Sequence, residues 1–486
     1  MTRMRPAIVV LLLVLVGQPF RALAADDPPP QPAGEKPPPP ETLKGRVARE
    51  IDSTSASPDV ACATSTDCAE KLHYGEICFD RKCRPYEDKT DIFAWLKLSK
   101  SGHIVPQPFV LYPAIVPAIG YNPALGFLIG VTAFFGMYLG DPNDTTISNE
   151  QPVFLITTEK QIVLQLVGTV MTGGNGWELQ NDYRFLIYNQ DTYGLGTGIP
   201  PVGGGFNIGG YGQTAAVPGA QPMKWDLLRF HQSVLKKVTG PLYVGGAIRF
   251  DRYYNIDDES LNLEANPVTI TSHYAYSRYY GFDTHQYNIV SLGLEALYDS
   301  RDSTINPYRG IYANFVLRGN PTWLGSSQDS SQVYGEFRTY IGLDDNIPRN
   351  VLAFWVLAQG VTSGALPYLA LPAIGWDTRG RTGRGFIAGH FRGTAEVYLE
   401  SELRFRITDD GMFGGVVFAN ASTFSRPAVS ITGYSNPGVH LFQYIAPAGG
   451  VGLRIMMNRT SRTNVTVDFS FSQTGFGLYL GAGEAF

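Results

Sequence analysis

The chain has 486 residues, a formal net charge of −5, 17% charged residues and 12% aromatic residues. Charged residues are scarcer than the roughly 25% usual in soluble domains, while glycine, at 54 residues, is abundant. A mean hydropathy near zero excludes a bundle of lipid-buried helices, and the near-neutral charge argues against binding of nucleic acid, which needs a concentrated basic face. The richness in Gly, Tyr and Phe favours extended strands joined by tight turns.

Residues 1–24 are predicted to be a secretory signal peptide. A basic start precedes an apolar run over residues 7–16, and Ala22-Leu23-Ala24 has the small-x-small pattern of a cleavage site. The alternative is an uncleaved anchor, but the run is shorter than the ~18 apolar residues of a spanning helix. The sequence therefore predicts an exported protein, and any membrane crossing has to be made by strands.

Three short segments follow the signal peptide: a Pro-rich disordered linker over 25–60, a cysteine-bridged module over 61–86 and a connecting segment over 87–109. In an exported protein, closely spaced cysteines indicate two disulfides, whose pairing the spacing does not fix. A four-thiolate zinc site is the alternative. The four cysteines are Cys62, Cys68, Cys78 and Cys83. Within the connecting segment, the apolar-rich residues 91–98 are compatible with a short helix.

Residues 110–486 show segments in which polar and apolar residues alternate, separated by turn signals. The clearest is 394–407, where the even positions are polar or charged and all the odd positions but one are apolar; residues 462–472 repeat the pattern. A soluble sandwich is the alternative, but several segments reach the ~9–11 residues that a tilted strand needs to cross a bilayer. The fold class predicted is therefore all-β, a transmembrane antiparallel barrel. About fifteen candidate strands lie between Leu125 and Phe486, and the even number usual in such barrels predicts a sixteenth, which we place near 269–280.

Four groups of residues in this region resemble motifs of the BamA/TamA superfamily, also called the bacterial surface antigen family. They are Tyr121-Asn-Pro-Ala-Leu-Gly126; Leu297-Tyr-Asp-Ser-Arg-Asp302 with Asn306-Pro-Tyr-Arg-Gly310; Arg384-Gly-Phe386; and Gly450-Val-Gly-Leu-Arg454 with Gly483-Glu-Ala-Phe486. The resemblance implies an outer-membrane barrel of about sixteen strands. Residues 25–109 lack the α/β pattern of the POTRA domains that precede the barrel in the best-studied members, so the chain resembles the POTRA-less branch.

The resemblance also implies a lumenal loop whose Arg384 pairs with an acidic residue on the inner wall. Asp468 is the preferred partner, because its side of the strand is polar, and Glu400 and Glu402 are alternatives. Gly385 then permits a tight turn and Phe386 anchors the loop beside it. The alternative is that Arg384 is a solvated loop charge.

Two further motifs are predicted to serve folding and assembly. The first is expected to order the end of a strand and its turn, and consists of Asp299, Arg301, Asp302, Pro307 and Gly310. Gly483 and Phe486 resemble the signal read by the outer-membrane assembly machinery, with an aromatic-girdle position as the alternative for Phe486.

By this resemblance, the protein is expected to assist insertion or translocation of proteins, or of lipid, through a weak seam between the first and last strands. Its expected partners are outer-membrane lipid, the assembly machinery for its own insertion and client outer-membrane proteins, with the N-terminal extension in the periplasm. The alternative is a passive pore or structural barrel whose N-terminal module binds a partner. The sequence contains no nucleophile, metalloprotease or phosphate-loop motif, so we expect no enzymatic activity, no cofactor and no metal.

Overall fold

The computed structural model describes residues 76–79, 82–85, 90–96, 106–122, 126–198, 219–266, 268–344, 347, 349–408, 410–431, 434–459 and 461–486. The predicted signal peptide, the Pro-rich linker, Cys62 and Cys68 lie outside these ranges. A small hairpin comes first, formed by β1 (Glu76–Phe79) and β2 (Lys82–Pro85), and its register places Cys78 opposite Cys83. The disulfides remain a prediction.

Sixteen strands form one antiparallel sheet in which each strand pairs with the next along the chain, so the predicted all-β barrel is confirmed. After helix α1 (Ile92–Trp95), the sheet begins with β3 (Leu111–Asn122), β4 (Gly126–Met137), β5 (Ser148–Thr157), β6 (Ile162–Met171), β7 (Trp177–Thr192), β8 (Gln221–Thr239) and β9 (Leu242–Asp258). Helix α2 (Ser272–Tyr280) precedes β10 (Tyr287–Asp299), β11 (Gly310–Asn320), β12 (Ser330–Gly342), β13 (Val351–Gly364), β14 (Ala395–Arg406) and β15 (Phe413–Phe424). A hairpin of β16 (Val429–Ile431) and β17 (Tyr434–Asn436) stands outside the sheet, which ends with β18 (Ala446–Asn458), β19 (Thr463–Ser472) and β20 (Gly475–Ala482). Three short 3-10 turns lie at Gly173–Asn175, Thr322–Leu324 and Tyr368–Ala370.

The alternation predicted from the sequence separates the two faces of the wall. On β14, Glu400 and Glu402 are buried in the lumen, whereas Leu399 and Leu403 are exposed on the outside. The same division holds on β19, where Asp468 is buried. Because successive side chains of a strand point to opposite faces, a polar interior and an apolar exterior follow directly from the period of two.

The sixteenth strand is not where the sequence analysis placed it. Residues 272–280 form helix α2, because Thr271 caps its start by accepting a hydrogen bond from the Tyr274 amide and Gly281 ends it at a φ of 77°. The missing strand is β3, at the start of the barrel sequence. It contains Pro113 and Pro117, and proline within a run argues against a strand except at the edge of a sheet.

The two edges of the sheet are β3 and β20, and no ladder of paired residues joins them in the described part of the chain. The two edges nevertheless adjoin. One buried cluster contains residues from both sides of the junction: Ala114, Phe134, Met457 and Ala482. The barrel is thus nearly closed. We call this junction of β3 and β20 the seam.

The two ends of the barrel differ. Long connections follow β7, β9, β13 and β15 at one end, whereas the connections at the other end are short, and β3 begins and β20 ends there. We call these the long-loop end and the short-turn end.

Helix α1 lies at the short-turn end beside the seam. Asp91 caps it by accepting from the Ala94 amide at 2.8 Å and forms an ion pair with Arg459 at 3.4 Å. Ile92 and Phe93 pack against the buried cluster of the seam.

Among the described residues, none of the helices has the length and apolar character needed to cross a membrane.

Candidate functional site

The connection between β13 and β14, residues 365–394, folds into the lumen, and we call it the lumen loop. It contributes apolar side chains to two buried clusters inside the barrel. Its own turn is fixed by Asp377, whose carboxylate accepts from the Arg381 and Thr382 amides at 2.8 Å each. Farther along, Arg392 donates to the Leu369 carbonyl at 2.7 Å. The loop therefore fills the lumen as an ordered element held by its own polar contacts.

Arg384 lies at the tip of this loop and contacts all three acidic residues named from the sequence. Its guanidinium donates to Asp468 on β19 at 2.7 Å and also to Glu400 and Glu402 on β14. The same group lies 3.6 Å from the centre of the Phe418 ring. Arg384 is 3% exposed, so the pair is sheltered from the screening that makes surface ion pairs worth little.

Two wall arginines extend this pair into a network. Arg404 donates to Glu402 at 2.7 Å, and Arg454 joins Asp468 to Glu484, donating to Glu484 at 2.7 Å. A buried charge without a partner costs several kcal/mol, so each member of such a network is held in place by the others. The alternation places Arg404 and Arg454 on the inward face, but no pattern in the sequence indicates their contacts with Glu402, Asp468 and Glu484.

Gly385 and Phe386 fix the loop tip against the last two strands. Gly385 has a φ of 115°, and a Cβ there would lie 2.7 Å from the Ala448 Cβ. Its amide donates to the Tyr479 hydroxyl at 2.9 Å, and its carbonyl accepts from Ser472 at 2.7 Å. The Phe386 ring packs edge-on against Phe391, with ring centroids 5.1 Å apart. Only glycine fits at position 385 without strain.

The loop also contacts the seam strand β20 directly. Arg381 donates to the Ala482 carbonyl at 2.9 Å, and the Tyr479 hydroxyl donates to the Phe386 carbonyl at 3.2 Å. With Asp468 on β19, these contacts attach the lumen loop to one flank of the seam. No sequence signal identified Tyr479, because its partner groups are backbone atoms of a distant loop.

The open edge of β3 contains two prolines. Phe127 of β4 accepts from the Thr158 amide at 2.9 Å, so Phe127 and every second residue after it direct their backbone groups to β5. Pro113 and Pro117 pair with Phe135 and Val131, which belong to that set. Their backbone groups therefore point to the seam, where the Pro113 carbonyl accepts from Asn458 at 3.3 Å. The seam edge of β3 thus lacks two of the N–H donors of an ordinary strand.

The hairpin motif forms the turn between β10 and β11. Arg301 donates to Asp299 at 2.6 Å, and Asp302 accepts from the Tyr308 amide at 2.9 Å, just after Pro307. Gly310 has a φ of 110°, and a Cβ there would lie 2.3 Å from the Ser300 carbonyl oxygen. This geometry requires glycine and orders the start of β11.

The same turn extends across the short-turn end. Asp302 accepts from Arg462, between β18 and β19, at 2.8 Å. Thr304 donates to the Ile147 carbonyl, ahead of β5, at 2.7 Å, and accepts from Asn149 at 2.7 Å. Its contacts therefore reach both flanks of the seam.

The last four residues lie outside the barrel sheet. Strand β20 stops at Ala482, and Gly483, with a φ of 76°, redirects the chain into the lumen. The Phe486 ring lies 5.2 Å from Trp355, and its carbonyl accepts from Arg404 at 2.9 Å. Phe486 is 4% exposed, which does not match the alternative of a girdle residue at the lipid interface.

Replacing Phe486 with alanine should destabilise the barrel, because it removes a ring packed in the lumen; core Phe→Ala changes cost about 3–5 kcal/mol. We expect a lower unfolding temperature and a smaller heat-modifiable, membrane-inserted fraction on gels. Phe476→Ala is the matched control, since Phe476 on β20 is 74% exposed on the outer face. Equal effects of the two variants would contradict a packing role for Phe486.

Comparisons with known proteins agree with this architecture. An apolar exterior, a charged interior and sixteen antiparallel strands are the architecture of a membrane-spanning β-barrel. Residues 240–460 match the Omp85 superfamily domain. No curated protein matches the chain.

Three solved structures resemble the chain at low identity. BamA from Haemophilus ducreyi lacking POTRA domains 1–3 is 16% identical, with a TM-score of 0.44 over 77% of this chain and 70% of that one. CdiB from Escherichia coli is 10% identical, with a TM-score of 0.43 over 78% of this chain and 62% of that one. CdiB from Acinetobacter baumannii is 11% identical, with a TM-score of 0.40 over 77% and 58%. The chain therefore spans less than two thirds of either CdiB chain.

Proposed function

We propose that this outer-membrane barrel assists the insertion or translocation of proteins at the outer membrane through its seam. The observation that carries the proposal is the sheet itself, whose sixteen strands leave β3 and β20 without a ladder between them. Unpaired strand edges bind other strands readily, and an incoming client strand is the natural occupant of such an edge. This function requires movement of strands and no covalent chemistry.

The contents of the lumen favour this function over the passive pore. The lumen loop, the turn of residues 300–309 and the C-terminal tail all place buried side chains inside the barrel. A pore has to keep a continuous water path, whereas a seam works with a filled lumen. The attachment of Arg381 to the Ala482 carbonyl further links the loop to the strand that borders the seam.

The orientation of the N-terminal extension is part of the same proposal. Outer-membrane barrels have short periplasmic turns and longer extracellular loops. Strand β3 begins at the short-turn end, which supports a periplasmic location for the segment that precedes it. There they would meet client proteins before those reach the barrel.

A disulfide across the seam tests the function. Ala114 on β3 and Ala482 at the end of β20 are both buried in the cluster that spans the seam, so Ala114→Cys/Ala482→Cys places one thiol on each flank. In cells that depend on this protein, oxidation of the double variant should lower the amount of folded client outer-membrane proteins, and reduction should restore it. The readout is the heat-modifiable fraction of those proteins in isolated outer membranes.

Each single-cysteine variant is the control, because neither can lock the seam. Full assembly of client proteins with the seam quantitatively crosslinked would overturn the proposal. Loss of solute uptake with normal client assembly would instead support the passive pore.

A further inference from the structure

A cavity of about 170 Å³ lies between the barrel wall and the lumen loop. Five wall arginines line it, on strands β8 to β12 and the turn after β10: Arg229, Arg249, Arg301, Arg318 and Arg338. Such a concentration of guanidinium groups in a confined space needs compensating negative charge. The five arginines differ in whether a carboxylate lies within ion-pair distance.

Three of these arginines have a carboxylate partner. Arg229 lies 2.6 Å from Asp251, Arg301 lies 2.6 Å from Asp299, and Arg338 donates to Glu336 at 2.6 Å. Asp251 lies on the strand next to that of Arg229, Asp299 lies two residues before Arg301, and Glu336 lies on the same strand as Arg338. Paired charge is therefore the rule for the wall arginines of this cavity.

Arg249 and Arg318 depart from that rule. Neither has a carboxylate within ion-pair distance among the described residues, and the Nε of each is buried without a hydrogen-bond partner. Arg249 makes only a 3.5 Å contact with the His231 ring, and the Arg318 guanidinium stacks over Tyr334 at 5.1 Å. Neither contact is an ion pair, although the carboxylates of Glu295 and Asp251 act on Arg318 from farther away.

The register places these two arginines on either side of β10. Arg249 of β9 pairs with Ser291, and Arg318 of β11 pairs with Gly293 two residues farther along β10. Ser291 and Gly293 are small, so the strand between the two guanidinium groups carries no bulky side chain. Arg249 contacts His231 on β8 and Arg318 contacts Tyr334 on β12, so the two side chains lie on either side of β10, where Glu295 is the nearest carboxylate on the lumenal face.

We propose that Arg249 and Arg318 form a binding site for a phosphate-class oxyanion inside the lumen. Each guanidinium offers a planar fork of N–H donors, the geometry that recognises oxyanions with two hydrogen bonds at once. A single water needs roughly 10–15 Å³ of a cavity, so the space holds an oxyanion with several waters. The described lining is mainly polar and charged, which favours a free anion over the headgroup of a lipid whose acyl chains need apolar surface.

Thermal unfolding of the purified full chain in detergent tests the site. Sodium phosphate, added at constant ionic strength against chloride, should raise the unfolding temperature in a saturable way by about 2–5 °C. Arg249→Gln/Arg318→Gln should abolish that rise. In phosphate-free buffer the double variant should be at least as resistant to heat as the parent, because two buried charges that form no ion pair are gone. A purely structural role for the arginines predicts the reverse.

Arg252→Gln is the matched control, since Arg252 lies exposed on β9 and loses the same charge outside the cavity; it should respond to phosphate like the parent. Line broadening of the phosphate signal in ³¹P NMR, measured with each single variant, gives a second readout if the double variant does not fold. An unresponsive parent protein overturns the site, and so does a stronger response to short-chain phosphatidic acid than to phosphate. The crosslinked Ala114→Cys/Ala482→Cys protein should bind phosphate normally, so failure here is distinguishable from failure of the seam function.

Discussion

Replacing Arg384 with methionine should release the lumen loop and destabilise the barrel by about 3–5 kcal/mol, the usual cost of removing one partner from a buried ion pair. The change leaves Glu400, Glu402 and Asp468 facing one another without the guanidinium that now separates them. We expect a lower unfolding temperature and faster tryptic cleavage at Arg379 and Arg381 in the freed loop. Limited proteolysis and thermal unfolding measure the two effects.

Arg379→Met is the matched control, because Arg379 lies in the same loop and contacts the Asn149 side chain at 3.4 Å, and within the described part of the chain it forms no ion pair. It should lose little stability. Adding Glu400→Gln to Arg384→Met should recover part of the loss, because Glu400 is the carboxylate left without a cation, whereas Glu402 keeps Arg404 and Asp468 keeps Arg454. A loop that remains resistant to trypsin in Arg384→Met would contradict the anchoring role.

Replacing Pro113 and Pro117 with valine should close the seam and lower assembly of client proteins. Both prolines direct their backbone toward β20, so the valines add two N–H donors exactly where a ladder would form. A hydrogen bond contributes about 0.5–1.5 kcal/mol net, so the pair shifts the seam toward closure by about 1–3 kcal/mol. Hydrogen exchange of the β20 amides should slow, and folded client proteins should decrease.

Pro152→Val controls for the general effect of removing a proline from the wall. Pro152 lies in β5, where the ladder with β4 is interrupted between Val153 and Glu150. The variant should strengthen that ladder, which does not involve the edge of β3, and leave client assembly unchanged. Unaltered exchange in β20 for Pro113→Val/Pro117→Val, or an equal loss of assembly in Pro152→Val, would contradict the role of the seam prolines.

The barrel was predictable because its signal is local. Alternation along 394–407 and 462–472 identifies the inward face, and that face contains Glu400, Glu402 and Asp468. Alternation gives the face of a strand but not the distances across the lumen, so it could not show that Arg384 contacts all three. The pairing of Arg454 with Glu484 joins elements that no local pattern relates.

The two errors in the strand prediction also have local causes. Strand β3 escaped notice because Pro113 and Pro117 are typical of loops, although at a sheet edge they cost no ladder bond with β4. A strand was expected near 269–280 only because an even strand number is usual, and the capping residues Thr271 and Gly281 mark that segment as helix α2 instead. The inward bend of the C-terminus depends on Gly483 and on a lumenal pocket built by Trp355 and Arg404, which belong to strands far away in sequence.

The turn of residues 300–309 connects the two flanks of the seam at the short-turn end. Through Asp302 it holds Arg462 on one flank, and through Thr304 it holds Ile147 and Asn149 on the other. Separation of β3 and β20 at the long-loop end leaves these ties intact, whereas parting along the whole length requires them to break. If the seam opens as proposed, it should widen at the long-loop end while these contacts hold the short-turn end together.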